Sequence, residues 1–263
     1  MPQTPQALLE RLDDIGRSLA RSGRGLALLG LGSCGTDLAR LDAYSDLDFF
    51  SVVQPGSKER FLQDLSWLSD IAPVGYVFRN TADGYKLLFS DGIFCEFAVF
   101  EPEEVARAVY TAGRIVWQAA DFVAERWLVE GERPSPTPIP ANADWLVGEA
   151  LTNLYVGLGR FQRGEKLSAM RFIQGYAVDR LIELTPLLET AQPTFPDPFA
   201  AERRLEQRFP QLAQQLPAFM PGYDHSPAAA CAILTFLEQH FPVNPTIKAA
   251  IVALCGLPET GNG

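Results

Sequence analysis

The sequence predicts an α/β (α+β) fold in which a mixed-sheet domain is followed by a C-terminal helical-bundle domain. Three observations predict it. Through residues 1–130, apolar runs of strand length alternate with stretches of helical periodicity. At residues 131–140 proline falls on every second position, at Pro134, Pro136, Pro138 and Pro140, which no helix can continue through. Beyond it, through residues 141–258, only helical periodicity remains. A chain of 263 residues is long enough for two such domains, and a 47% hydrophobic content is that of an ordinary globular protein.

The elements follow in order. Leu8, Leu9, Leu12, Ile15 and Leu19 repeat at helical spacing, so residues 5–22 read as an amphipathic helix ended by Gly23 and Gly25. The apolar run 26–31 reads as a buried strand that stops at the small-residue turn Gly32-Ser33-Cys34-Gly35. A second strand fits 47–53 and is closed by Gln54-Pro55-Gly56. Residues 57–70 read as one helix, with Phe61, Leu62, Leu65 and Leu68 on one face. Strands fit 73–78, 85–89 and 93–100, the last two joined by a hairpin at Ser90-Asp91-Gly92. A helix follows over 102–110. In the second half the periodicity predicts helices over 144–161, 168–188, 199–208, 227–240 and 244–255.

The net charge of −10 suits a small, cationic acceptor better than a nucleic acid, with solubility alone as the other reading. A duplex-binding protein usually carries a basic stripe that neutralises phosphates, and neither half of this sequence has one. The expected partner is a small molecule, with no nucleic acid and no membrane, and the expected state is a monomer or homodimer. No apolar run approaches the roughly 20 residues of a membrane helix, and residues 1–21 carry Glu10, Asp13 and Asp14 where a signal peptide would be apolar. Both point to the cytoplasm. The four cysteines, Cys34, Cys95, Cys231 and Cys255, form no CxxC pair and read as buried free thiols.

The informative stretch is Gly32-Ser33, twelve residues, then Asp46-Leu47-Asp48. Glycine lets the backbone approach a phosphate, and backbone amides with the serine hydroxyl can cradle it. Asp46 and Asp48 are two apart at the start of a strand, so they project on one face. Two carboxylates placed together repel unless a cation neutralises them, and magnesium prefers carboxylate and phosphate oxygens. Glu96 lies in the otherwise apolar strand Phe94-Cys95-Glu96-Phe97-Ala98-Val99. A carboxylate there needs a partner, and a metal shared with the two aspartates would supply one.

Gly32-Ser33, Asp46-Leu47-Asp48-Phe49-Phe50 and the distal Glu96 together resemble the DNA polymerase β-type nucleotidyltransferase superfamily. The string Asp42-Ala43-Tyr44-Ser45-Asp46-Leu47-Asp48-Phe49 is similar to antibiotic nucleotidyltransferases, the lincosamide and aminoglycoside ones especially. The resemblance spans residues 26–100 and no motif of the helical half. It implies a mixed sheet, Mg²⁺, and a nucleoside triphosphate donor, with ATP as the expected one. It implies that Asp46 and Asp48 bind metal, that Gly32 and Ser33 contact donor phosphates, and that Glu96 completes the site, as base on the acceptor hydroxyl in some members. It also implies a helical domain that forms the far wall of the cleft. Cys34 and Gly35 depart from the pattern, standing where many members have a bulkier or basic residue. The expected function is Mg²⁺-dependent transfer of AMP to a hydroxyl of a small molecule, an antibiotic among the candidates. Two alternatives use the same fold: a toxin–antitoxin-type enzyme that modifies or binds a protein, and a binding module that holds nucleotide without turnover.

Other residues have structural readings beside functional ones. Asp42 reads as a solvated loop charge, Ser45 as a turn cap, and Lys86 as either a triphosphate partner or a surface lysine. Asp121 and Glu125 would share a helical face. Glu149, Asn153 and Arg160, with Lys166 and Arg171, are candidates on the helical half for anchoring an acceptor or phosphates. Tyr44 reads as packing beside the site or as a core or surface tyrosine, Trp117, Trp127 and Trp145 can stack a base or fill a core, and His225 and His240 lack metal-ligand spacing.

Overall fold

The computed structural model describes residues 3–36, 38, 41–105, 113–124, 142–194, 202 and 204–256. The chain clusters into two compact units, Met1–Pro140 and Ala141–Gly263. The proline-alternating stretch at 131–140 lies outside the described residues, as do Glu125 and Trp127.

The first unit is built on a six-stranded mixed sheet in the order β3-β4-β5-β2-β1-β6. Its strands are β1 (Gly25–Gly30), β2 (Leu47–Val53), β3 (Val74–Phe78), β4 (Gly84–Phe89), β5 (Phe94–Phe100) and β6 (Arg114–Gln118). Only β2 and β5 run parallel; the other neighbours are antiparallel. A parallel pair needs a long crossover, and residues 54–93 supply it. They hold α2 (Lys58–Gln63), α3 (Ser66–Ser69), β3 and β4.

Helix α1 (Pro5–Arg21) starts where the Thr4 hydroxyl accepts the Ala7 N–H, with Pro5 in the first turn. Leu8, Leu12, Ile15 and Leu19 are all buried along one side. They join one core with Leu28, Phe49, Phe89 and Phe97, where Phe49 and Phe97 stack at 5.1 Å. The alternate side chains of the strands feed a second core of Ala27, Leu29 and Val52, with Phe50 and Phe100, against Val105 of α4 (Pro102–Val105). Gly84 permits the tightest strand contact, since a Cβ there would lie 2.1 Å from the Phe97 carbonyl oxygen.

Three differences from the sequence reading have local causes. The single helix expected over 57–70 is two, because Asp64 is extended and its carboxylate accepts the Ser66 N–H at 2.9 Å. That bond offers the backbone an alternative to the helical ladder. Strand β6 was not expected: its apolar run Ile115-Val116-Trp117 is short and depends on pairing with β1. Of the helix expected over 102–110, α4 ends at Val105, and residues 106–112 lie outside the described residues.

The second unit is helical: α5 (Ala143–Gln162), α6 (Lys166–Met170), α7 (Val178–Leu184), α8 (Leu205–Arg208), α9 (Pro210–Phe219), α10 (Ser226–His240) and α11 (Pro245–Cys255). The long α5, capped by Asn142 on the Trp145 N–H, packs against α6, α7, α10 and α11. The helix expected over 168–188 is continuous but widens into a π-helical segment at Arg171–Ala177. There the buried Gln174 amide donates to Gly222 O and Ser226 Oγ and accepts from Gly222 N, so tertiary bonds hold the widened turn. Helix α9 was also unexpected. Its N-terminus is capped by the buried Glu189, which accepts from Gln211 N and Leu212 N at 2.9 and 3.0 Å, a signal some twenty residues away. Of the helix expected over 199–208, residues 202 and 204–208 are described, and only Leu205–Arg208 is helical, preceded by Arg204 at φ 57° in the left-handed region. No described helix is long and apolar enough to cross a membrane.

Candidate active site

The site begins where β1 ends. Leu31 N donates to Asp48 O at 2.8 Å, which fixes the turn against the start of β2. Gly32 follows at φ +53°, the left-handed region that favours glycine, and opens a 3-10 turn over Gly32–Cys34. A Cβ on Gly32 would lie 3.3 Å from Asp48 Oδ2, so the backbone of the turn sits against that carboxylate. Cys34 N and Gly35 N bond back to Leu31 O and Gly32 O. Among the described residues, nothing accepts the N–H groups of Gly32 and Ser33. Two successive amides of this kind form a concavity for an anion.

Cys34 stands where many members of the resembled family have a bulkier or basic residue. It is fully buried, and its thiol donates to Asp48 O at 3.0 Å and Leu31 O at 3.2 Å. Burial pushes the thiol up to about 12, and the charges of Asp48 and, more weakly, Asp46 add to the effect.

Asp46 immediately precedes β2 and is delivered by a tight turn. The Ser45 hydroxyl accepts Asp42 N at 3.0 Å, and the Asp42 carboxylate accepts Tyr44 N at 2.9 Å. Ser45 is the turn cap expected. Asp42, expected as a solvated charge, is half-buried and anchors the loop. Across the sheet, Asp48 pairs in register with Glu96, and Glu96 with Lys86. Directly opposite residues share a face, so Asp48, Glu96 and Lys86 form a row on one side of the sheet, at the N-terminal ends of the parallel strands. Phe49 and Phe97 occupy the other face. Among the described residues, no group of three His, Cys, Asp or Glu side chains is placed to hold a metal ion. Glu96 Oε1 instead accepts from Asn80 Nδ2 at 2.9 Å.

Two residues beside this site were not singled out from the sequence. Asn80 holds Glu96 from the loop between β3 and β4. Arg114 opens β6 and its Nη2 donates to Cys34 O at 3.3 Å, while its buried Nε has no hydrogen-bond partner among the described residues.

Other residues weighed in the sequence have partners within their own units. Arg160 donates to Ser168 Oγ at 2.6 Å and lies 4.0 Å over the Phe172 ring, and Lys166 pairs with Asp224 at 2.8 Å. Trp117 packs against the first core, Trp145 lies under Arg180, and the His240 ring lies 4.6 Å from Phe236. Asp121 is exposed in a turn rather than on a helix.

No family model matches the chain, and no curated protein matches its sequence. Among solved structures, it is similar to an aminoglycoside 6-adenyltransferase from Bacillus subtilis. The identity is 11% and the TM-score 0.29, over 96% of this chain and 91% of that one. It is similar to a Thermotoga maritima CCA-adding enzyme complexed with tRNA, at 13% identity and TM-score 0.30 over 95% and 72%. A STING-associated c-di-GMP synthase from Capnocytophaga granulosa matches at 11% and 0.29 over 95% and 82%. At such values the functional reading has to come from the chain's own residues.

Proposed function

We propose that the protein is a nucleotidyltransferase that moves AMP from ATP to a hydroxyl of a small molecule, with an aminoglycoside or lincosamide as the leading acceptor class. The observation that carries this reading is the close approach of the left-handed Gly32 to Asp48 Oδ2, with Glu96 in register beside Asp48. A turn of that shape with free amides suits phosphate, and the adjacent carboxylates suit a hard cation. The antibiotic acceptor rests on the local string Asp42–Phe49.

The residues fit magnesium. Mg²⁺ is usually held by one or two carboxylates together with substrate phosphates rather than by a full protein cage, and Asp46 and Asp48 are two carboxylates beside an anion-binding turn. When bound, the metal would neutralise charge on the transferring phosphoryl group. Gly32 N and Ser33 N, with the Ser33 hydroxyl, receive donor phosphate oxygens. Glu96, oriented by Asn80, completes the site and accepts the acceptor's proton. Lys86, its register partner, offsets charge along the row.

The test is product analysis. The protein is incubated with ATP and Mg²⁺ against a panel of aminoglycosides and lincosamides, and masses are read for addition of one adenylyl group. An adduct on one panel class supports the full reading. Adducts on a co-purifying protein in place of any small molecule would replace it with the toxin–antitoxin alternative.

A further inference from the structure

The other end of the same strands carries a cleft of about 310 Å³, the lower end of the range of small-molecule sites. It is lined by Arg21, Arg24 and Arg60, so a chain of net charge −10 gathers three guanidinium groups around one hollow. Arg24 precedes β1 and its carbonyl accepts Gln54 N just after β2. The cleft is thus one strand length, roughly 20 Å, from the Gly32 turn. None of the three arginines makes an ion pair within 4 Å among the described residues. Three of the last four carbonyls of α1 are already taken. Ser22 N, Gly23 N and the Ser22 hydroxyl take Ser18 O, Ala20 O and Leu19 O.

The cleft is also organised in advance. The Ser22 hydroxyl accepts Arg24 N and Gly25 N, pinning the backbone between Arg21 and Arg24. The floor is Trp67, buried and fixed by its Nε1–H on Phe61 O at 3.2 Å. Asp64 and Asp70 stand on the rim. Arginine forks match phosphate oxygens. Carboxylates beside them repel a bare phosphate but accept from hydroxyl groups.

We infer that this cleft binds a sugar phosphate, with the phosphate on Arg21, Arg24 and Arg60 and ring hydroxyls on Asp64 and Asp70. The site is separate from the carboxylate row and stands whether or not the protein transfers nucleotides.

The experiment is titration of the full chain, followed by calorimetry and by Trp67 fluorescence, with ribose 5-phosphate, inorganic phosphate and ribose. Ribose 5-phosphate is expected to saturate below ~1 mM, well ahead of inorganic phosphate, with no binding of ribose. Arg21→Ala and Arg60→Ala each remove an exposed side chain, leave the circular dichroism spectrum unchanged, and weaken binding about tenfold. Asp64→Asn narrows the preference over inorganic phosphate. The same titration on Asp48→Ala, which binds as well as the native chain, separates this site from the other end. Absence of saturation with ribose 5-phosphate, equal binding of inorganic phosphate, or unchanged affinity in both arginine variants would overturn the inference.

Discussion

At its C-terminal end β1 turns through Gly32 against the Asp48 carboxylate, with Glu96 and Asp46 nearby. At its N-terminal end it leaves Arg24 beside Arg21 and Arg60. The two ends share the same ladder, so the pairing of β1 with β2 does not distinguish them. The turns do. One end closes with a left-handed glycine and a loop anchored by Asp42 and Ser45. The other follows a helix whose last carbonyls are capped by Ser22 and Gly23. A rigid sheet holds both ends, and the short segments leaving it choose the charge each presents.

Single substitutions at one end test whether the ends work independently. The largest effect is expected from Asp48→Ala, which lowers turnover by on the order of 10³-fold or more, read as adenylylated product per unit time. Ribose 5-phosphate binding stays as in the native chain, and loss of both would mean the ends are not independent. Gly32→Ala places a Cβ 3.3 Å from Asp48 Oδ2 on a left-handed backbone. It should lower turnover by up to about 10²-fold through displacement of the Gly32 turn and lower stability by more than about 1 kcal/mol, measured by urea unfolding. Asn80→Ala frees Glu96 from one hydrogen bond and should cost about tenfold in kcat with little change in stability.

The acidic end also has a pH signature. Burial pushes the Cys34 and Cys95 thiols up. Above the unfolded thiol value of 9.0 the unfolded chain has released protons that the folded chain keeps, so stability falls as pH rises. For Cys34 the loss runs from 9.0 towards 12, with a slope of up to about 1.4 kcal/mol per pH unit for each thiol. Cys34→Ala should flatten that slope in denaturant titrations between pH 9 and 11. The smallest effect lies in the helical unit. Cys231 is half-buried and its thiol is lowered by a hydrogen bond from Cys255. It should be the cysteine modified first by a disulfide reagent at neutral pH, with Cys34 and Cys95 reacting only on unfolding.

Strands β1 to β5 and helices α1, α5, α10 and α11 were legible because each satisfies a local period and carries its own stop signal, such as Gly23 after α1 or Gln54-Pro55-Gly56 after β2. Elements that rely on distant partners were not. β6 exists through its pairing with β1, α9 through the Glu189 cap, and the widened Arg171–Ala177 turn through Gln174 bonds to Gly222 and Ser226. The same division runs through the site. Gly32, Ser33, Asp46 and Asp48 stand in one short stretch, so their types and spacing could be read together as a candidate site. Asn80 and Arg114 arrive from β3–β4 and β6, and nothing near them in sequence shows that they meet Glu96 and the Cys34 carbonyl. The arginine cleft was equally invisible, since its members come from α1, the residue before β1, and α2.

The central claim is that the Gly32 turn and the aspartates beside it hold a nucleoside triphosphate through a divalent cation. Pyrophosphate release tests it most directly, followed for ATP, GTP, CTP and UTP with Mg²⁺ present or chelated, in the native chain and in Asp48→Asn. The account predicts release with ATP and an acceptor that stops on chelation and in the variant. Release that continues unchanged in Asp48→Asn would contradict it.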